Sequence, residues 1–419
     1  MMTTSDPALA RKLGLSDAVM IGLGSMIGAG IFAAFAPAAA AAGAGLLIGL
    51  AIAGLVAYCN ATSSAQLAAQ YPTSGGTYVY GRERLGEWPG FLAGWGFVIG
   101  KTASCAAMAM TFAAYAVPGP WQRPVAIAAV LTLAAVNCRG ITRTAAATRV
   151  IVTVVLTVLA VVALAGVTSG APALGGAEPL AVTGGWYGVL QSAGLLFFAF
   201  AGYARIATLG EEVEAPQRTI PRAVVTALGL ALGVYALIAV SVLLTVGAGQ
   251  LAGSAAPLVE VVAARGWGWA EPVVRIGAAA AALGALLALV AGVGRTSLAM
   301  ARHRDLPGWL AAVHPRRRVP HHAEITLAVV VSLVVAVADL RGAIGFSSFG
   351  VLLYYFIANV AAFTQDGHQR RYPRVWQVLG AAGCVVLAAT LPPASVLAGT
   401  GMLAVGVAYR LIRLRLTHA

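Results

Sequence analysis

Gly24-Ser25-Met26-Ile27-Gly28-Ala29-Gly30-Ile31-Phe32 interrupts the first apolar segment, which runs from about Leu15 to Ala42. Each of its three glycines costs a helix about 1 kcal/mol relative to alanine. In hydrocarbon an unwound backbone survives only where protein or a water-filled cavity satisfies its N–H and C=O groups. A break of this kind inside a membrane-length helix points to a small-molecule or ion site near the midplane, built from backbone atoms and half-helix ends.

The rest of the chain is of the same character. It is 60% hydrophobic and 10% charged over 419 residues, with a mean hydropathy of +0.86. A soluble domain carries about 25% charged residues. Twelve apolar segments are predicted, at 15–42, 44–69, 89–117, 124–138, 147–167, 187–210, 220–247, 271–299, 322–339, 342–364, 374–390 and 393–412. No linker is long enough for a separate soluble domain, so residues 1–419 read as one unit. The net charge of +13 does not point to nucleic acid, because the basic residues fall in alternate loops. Of 27 Lys and Arg, 21 lie on one side, including the Arg316-Arg317-Arg318 run, and four (Arg123, Arg265, Arg275, Arg341) on the other. That asymmetry predicts cytoplasmic termini. Residues 1–14 form the cytoplasmic start and 413–419 the tail, and no cleavable signal is expected.

The sixth segment carries a second interruption, at Gly202 within Phe197-Phe198-Ala199-Phe200-Ala201-Gly202-Tyr203-Ala204-Arg205. Five segments separate the first break from the second, and an odd number inverts the second copy of a repeat. Interrupted helices at equivalent positions of two halves mark inverted-repeat transporters. The expected repeats are 15–167 and 187–364, with 374–412 as two extra helices. Between the seventh and eighth segments, Ala256 to Ala264 reads as a short amphipathic helix over the external mouth.

Several separate motifs resemble the amino acid–polyamine–organocation (APC) superfamily of permeases, and its cationic amino acid transporter-like branch in particular. They are the 24–32 stretch, Tyr71-Pro72-Thr73-Ser74-Gly75-Gly76-Thr77-Tyr78, Ile206-Ala207-Thr208-Leu209-Gly210-Glu211-Glu212-Val213 with Pro216, Ile220 and Pro221, and Arg295-Thr296-Ser297-Leu298-Ala299-Met300-Ala301-Arg302 with Leu306-Pro307. The resemblance implies an all-α polytopic membrane protein. It implies 12 transmembrane helices in a 5+5 inverted-repeat (LeuT-like) core, with helices 1 and 6 broken and two helices appended. It also implies a carrier of amino acids. The substrate carboxylate would lie on N–H groups of Ile27, Gly28, Ala29 and Gly30, beside Met26, since a half-helix N-terminus favours an anion. The substrate ammonium would lie on the carbonyls of Phe198, Ala199 and Ala201. Phe198 or Phe200 would close over it, and Gly202 and Ala204 would leave room.

Lys101 lies about twelve residues into the third segment, roughly 18 Å deep at 1.5 Å per residue. An ionisable side chain there is a functional residue by default. The matching place holds threonine in cationic amino acid transporters. Three roles stay open: pairing an anionic substrate group, carrying a proton as a coupling switch, or bonding the carbonyls of a broken helix. Arg205 is the second cation near membrane depth. Glu211 and Glu212 sit at the cytoplasmic end of segment six, as a gate or as a solvated face. No Asp or Glu is expected at mid-membrane depth, which disfavours cationic substrates and favours neutral or acidic ones.

Segment eight has no Ser or Thr between Ala278 and Val293, so sodium coupling is not expected. Proton-coupled members of the superfamily often carry a lysine in helix five; the matching position here is Val158, and Lys101 would substitute for it. The four cysteines lack metal or redox spacing and read as core residues. His321-His322 beside the arginine run read as a membrane-surface feature rather than a metal site, and Tyr354-Tyr355 either line the path or pack in a core, with packing favoured. No cofactor, metal or obligatory partner chain is expected. The leading reading is a proton-coupled secondary transporter of neutral amino acids in a plasma membrane, a bacterial inner membrane fitting the compact termini. Alternatives are an acidic amino acid carrier, an uncoupled exchanger or exporter, and a channel or sensor on the same fold. An enzyme lacks a nucleophile with a base, or a metal set, at membrane depth.

Overall fold

The glycine stretch breaks the first segment in the computed structural model of the chain, which describes residues 13–71, 75–140, 145–168, 181–207, 209 and 212–418. Helix α1 (Leu15–Met26) stops, Ile27 and Gly28 leave helical geometry, and the chain resumes as α2 (Ala29–Ala33) and α3 (Phe35–Ala42). Gly43 ends the run with φ +59, where a Cβ would meet the Ala181 carbonyl oxygen at 2.4 Å. Only glycine fits that left-handed, crowded position.

The first half continues through α4 (Leu46–Gln70), a short α5 (Thr77–Leu85), α6 (Glu87–Ala116), α7 (Gln122–Cys138) and α8 (Ala145–Thr168). The sixth segment is α9 (Gly185–Phe200), a 3-10 turn at Ala201–Tyr203, and α10 (Ala204–Ala207). The second half adds α11 (Pro216–Thr245), the short helices α12 (Ala248–Gly253) and α13 (Pro257–Ala264), and α14 (Glu271–Arg302). It ends with α15 (His321–Val337), α16 (Leu340–Phe363), α17 (Arg374–Thr390) and α18 (Pro393–His418). The described residues contain two isolated β-bridges and no strand longer than that.

Each predicted apolar segment therefore folds as a helix or a broken helix. Nine runs among the described residues are long and apolar enough to cross a membrane. Helices α15 and α17 are apolar but 17 residues long, and α7 also has 17. At 1.5 Å per residue that is about 25 Å, short of a hydrocarbon core of about 30 Å. Large apolar side chains such as Leu164, Ile276, Val337 and Leu397 are exposed on the helix flanks. That surface belongs to an integral membrane protein, because lipid rather than water is its solvent.

The two breaks pack against each other. A Cβ on Gly202 would lie 2.2 Å from the Ser25 carbonyl oxygen, and a Cβ on Gly30 would lie 2.6 Å from Ala199 Cα. The chain before α1 also meets the chain after α10. Leu13 N donates to Glu212 O at 3.1 Å, and Glu214 N to Leu13 O at 3.0 Å. Helix α13 covers the opposite end, with Leu258 N donating to Tyr115 Oη at 3.5 Å and Tyr115 Oη to Phe32 O at 3.1 Å.

Candidate substrate site between the helix breaks

A cavity of about 260 Å³ lies where α6 and α14 face the interrupted sixth segment. Its lining includes Ser25, Lys101, Ser104, Phe198, Ala201, Gly202, Ala204, Arg205, Glu212, Ala285, Ala288 and Arg295. A second hollow of about 290 Å³ shares Ser25, Arg205, Glu212, Ala288, Gly292 and Arg295 with it. That hollow continues toward Leu13, Asn137 and Thr148, at the end of the molecule that carries the basic loops. A larger apolar hollow of about 550 Å³, on another face of α6 against α15, α16 and α18, contains none of the predicted site residues.

The sequence-predicted residues divide into two groups. Phe198, Ala201, Gly202, Ala204, Lys101, Arg205 and Glu212 share the cavity. Met26, Ile27, Gly28, Ala29, Gly30, Ala199 and Phe200 pack beside it and do not line it. Ile27 N already donates to Leu23 O at 2.7 Å, so it is a closing bond of α1 rather than an open donor. Ala285 covers Gly28: a Cβ there would lie 2.7 Å from that of Ala285. Phe200 is fully buried against Tyr235, with ring centroids 5.1 Å apart, so of the two phenylalanines Phe198 is the one that faces the cavity. Glu211 lies outside the described residues.

Lys101 is 5% exposed, and its Nζ donates to Ala201 O at 3.2 Å, on the 3-10 turn that breaks segment six. Tyr355 Oη donates to the same oxygen at 3.3 Å. That carbonyl follows the end of α9, where helix carbonyls lack partners and carry partial negative charge. Tyr235 Oη lies 2.7 Å from Met26 O and 2.9 Å from Ala199 O, so one hydroxyl serves both broken segments. Ser104 and Ser347 share a hydrogen bond of 2.6 Å between α6 and α16.

Sequence reading misses Tyr235 as a site residue and gives Arg295 only as part of a motif, while Tyr355, one of the pair read as path or packing, lies on the Ala201 carbonyl. Tyr235 gives no local signal: its partners are 209 and 36 residues away. The wall supplied by α14 is Ala285, Ala288, Leu289 and Gly292, with Thr296 and Arg295 toward the basic end. Val158, where a helix-five lysine would sit, packs on Gly277 of α14; a Cβ on Gly277 would lie 2.6 Å from its Cγ2.

Residues 13–409 match a family model described as amino acid permease. An uncharacterised transporter of Mycobacterium tuberculosis is 61% identical over 404 residues, covering 96% of this chain and 90% of its own. The branched-chain amino acid permease BcaP of Bacillus subtilis is 25% identical, with 90% and 86% covered. The chloroplastic cationic amino acid transporter 7 of Arabidopsis thaliana is 26% identical, with 88% and 67% covered.

Proposed function

The chain belongs to the amino acid permease family, and from that premise we propose that it is a secondary active carrier of amino acids working by alternating access. The fold then has twelve crossings, ten of them in two inverted five-helix repeats with the helices of 374–412 appended. The observation that carries the reading is the cavity beside the second break, which shares lining residues with the hollow at the basic end and holds Lys101 on the Ala201 carbonyl.

The favoured substrate is a neutral amino acid. Glu212, at the basic end, is the one carboxylate among the described lining residues, so a cationic side chain finds no partner beside Lys101. Acidic amino acids are the second reading, favoured by the basic groups Lys101, Arg205 and Arg295 in the same lining. Lys101 is the proton-coupling residue, and Arg205 with Glu212 forms the cytoplasmic gate. The apolar α14 wall offers a sodium ion no set of oxygen ligands. The relevant membrane is a bacterial inner membrane, with both termini cytoplasmic and no obligatory partner chain.

An uptake screen in proteoliposomes tests this, using labelled neutral, acidic and basic amino acids with and without a proton gradient. Saturable counterflow of a neutral amino acid is expected, with lysine and arginine excluded. Preference for glutamate or aspartate selects the second reading. Unsaturable flux indicates a channel, and no movement of any amino acid removes the proposal.

A further inference from the structure

The chain's own donors lie on three carbonyls at the helix breaks. The one hydroxyl of Tyr235 is shared between those of Met26 and Ala199, and Lys101 with Tyr355 holds that of Ala201. Of these three residues only Ala201 lines the cavity, so of the three carbonyls its oxygen is the one placed for a cation there. An amino acid brings an ammonium group as well as a carboxylate. Out of water that ammonium needs an acceptor. Glu212, the one described carboxylate in the lining, stands at the basic end with Arg205 and Arg295 rather than at Ala201. Lys101 already holds the Ala201 oxygen with its own ammonium, so a substrate ammonium placed there contends with it.

The surroundings of Lys101 do not relieve this conflict. On its own helix Cys105 lies one turn away. Tyr78 faces the cavity from α5, Arg205 and Glu212 from the end of segment six, and Arg295 from α14; α16 contributes Tyr355 on the shared oxygen. The ion pairs among the described residues join Asp17, Glu87 and Asp305 to arginines, and no described carboxylate lies within 4.0 Å of Lys101 Nζ.

We infer that substrate and proton exclude one another at Lys101, so that the protein is a proton–amino acid antiporter and, under an inward proton gradient, an exporter. The inference rests on the amino acid reading above. When the cavity faces the cytoplasm, the arriving amino acid places its ammonium on Ala201 O. Lys101 Nζ then gives one proton to cavity water, and its neutral amine no longer repels the substrate. When the cavity faces the acidic exterior, a proton returns to Nζ and the restored ammonium reclaims Ala201 O. The amino acid leaves, and the protonated carrier returns empty of substrate. One amino acid leaves for each proton that enters. By linkage, anything that favours the proton disfavours the substrate equally.

The test uses the full-length protein in proteoliposomes holding a trapped pH-sensitive dye, preloaded in turn with L-leucine, L-alanine and L-glutamate. An outward gradient of a transported amino acid is expected to acidify the lumen, and KM for counterflow falls about tenfold per pH unit while Lys101 is mostly protonated. Lys101→Met removes the competitor. Its KM at pH 6 drops about tenfold or more below wild type and no longer varies with pH, and the dye signal falls to that of empty liposomes. Lys101→Gln is the second variant if Lys101→Met does not fold, and the wild-type dye and KM results stand without either. Alkalinisation of the lumen during efflux means symport and overturns the inference, as does a wild-type KM independent of pH. Both leave the permease reading intact. Absence of counterflow for all three amino acids removes that reading and this inference with it.

Discussion

Tyr235 shows how much a single hydroxyl carries at the residue scale. It is buried, and it lies within hydrogen-bond reach of a carbonyl at each helix break. Tyr235→Phe keeps the ring packed on Phe200 and removes the one donor hydrogen that the two carbonyls share. An unsatisfied buried group costs about 1–3 kcal/mol, so the variant should unfold at lower temperature in a detergent thermal-shift assay. No change in melting would show that water replaces the hydroxyl. Lys101 was legible in the sequence and Tyr235 was not, for a physical reason. A charge deep in an apolar run is expensive wherever its neighbours lie, so it stands out by itself. A tyrosine in such a run is ordinary until the fold brings Met26 and Ala199 to it.

Helix crossings decide the element scale. Where α6 meets α16, a Cβ on Gly350 would lie 2.6 Å from Gly96 O and 2.8 Å from Gly100 Cα. Backbone touches backbone there, which only small residues allow. Gly350→Ala should therefore destabilise by about 1–3 kcal/mol. Gly233→Ala, inside α11, meets nothing within 4 Å and should instead raise stability by up to about 1 kcal/mol. Comparing the two melting temperatures checks the packing, and equal shifts would refute it. Helix positions were largely readable, since long apolar runs and the glycine stretch act locally, although α11 begins at Pro216 rather than at the predicted 220. The segment predicted at 374–390 is the helix α17 found there. Which glycines are contacts and which are idle was not readable, because that depends on the partner helix.

At the scale of the whole molecule, one buried carboxylate gathers distant parts of the chain. Asp305, in the turn after α14, accepts from Tyr78 Oη at 2.7 Å and Arg82 Nη1 at 2.8 Å, and from Arg410 Nη1 of α18. Arg410 also lies over the rings of Trp88 and Phe91 and pairs with Glu87 at 3.2 Å. Burial, and then the hydrogen bond to Asp305, push the Tyr78 phenol above its ordinary value, so it remains a donor at working pH. Asp305→Asn leaves Arg410, 5% exposed, without its buried counter-charge. Breaking such a pair costs about 3–5 kcal/mol, and loss of folded protein on size-exclusion chromatography in detergent is the expected result. A monodisperse variant with wild-type melting would show that Glu87 suffices. The membrane class, the two interruptions and the deep lysine follow from the sequence alone, because hydropathy, glycine flexibility and the cost of a buried charge act locally. Only the tertiary structure decided that Lys101 ends on the Ala201 carbonyl, that Phe198 rather than Phe200 faces the cavity, and that Ala285 covers Gly28. Those outcomes depend on which surfaces meet across hundreds of residues, and no local property of the chain encodes them.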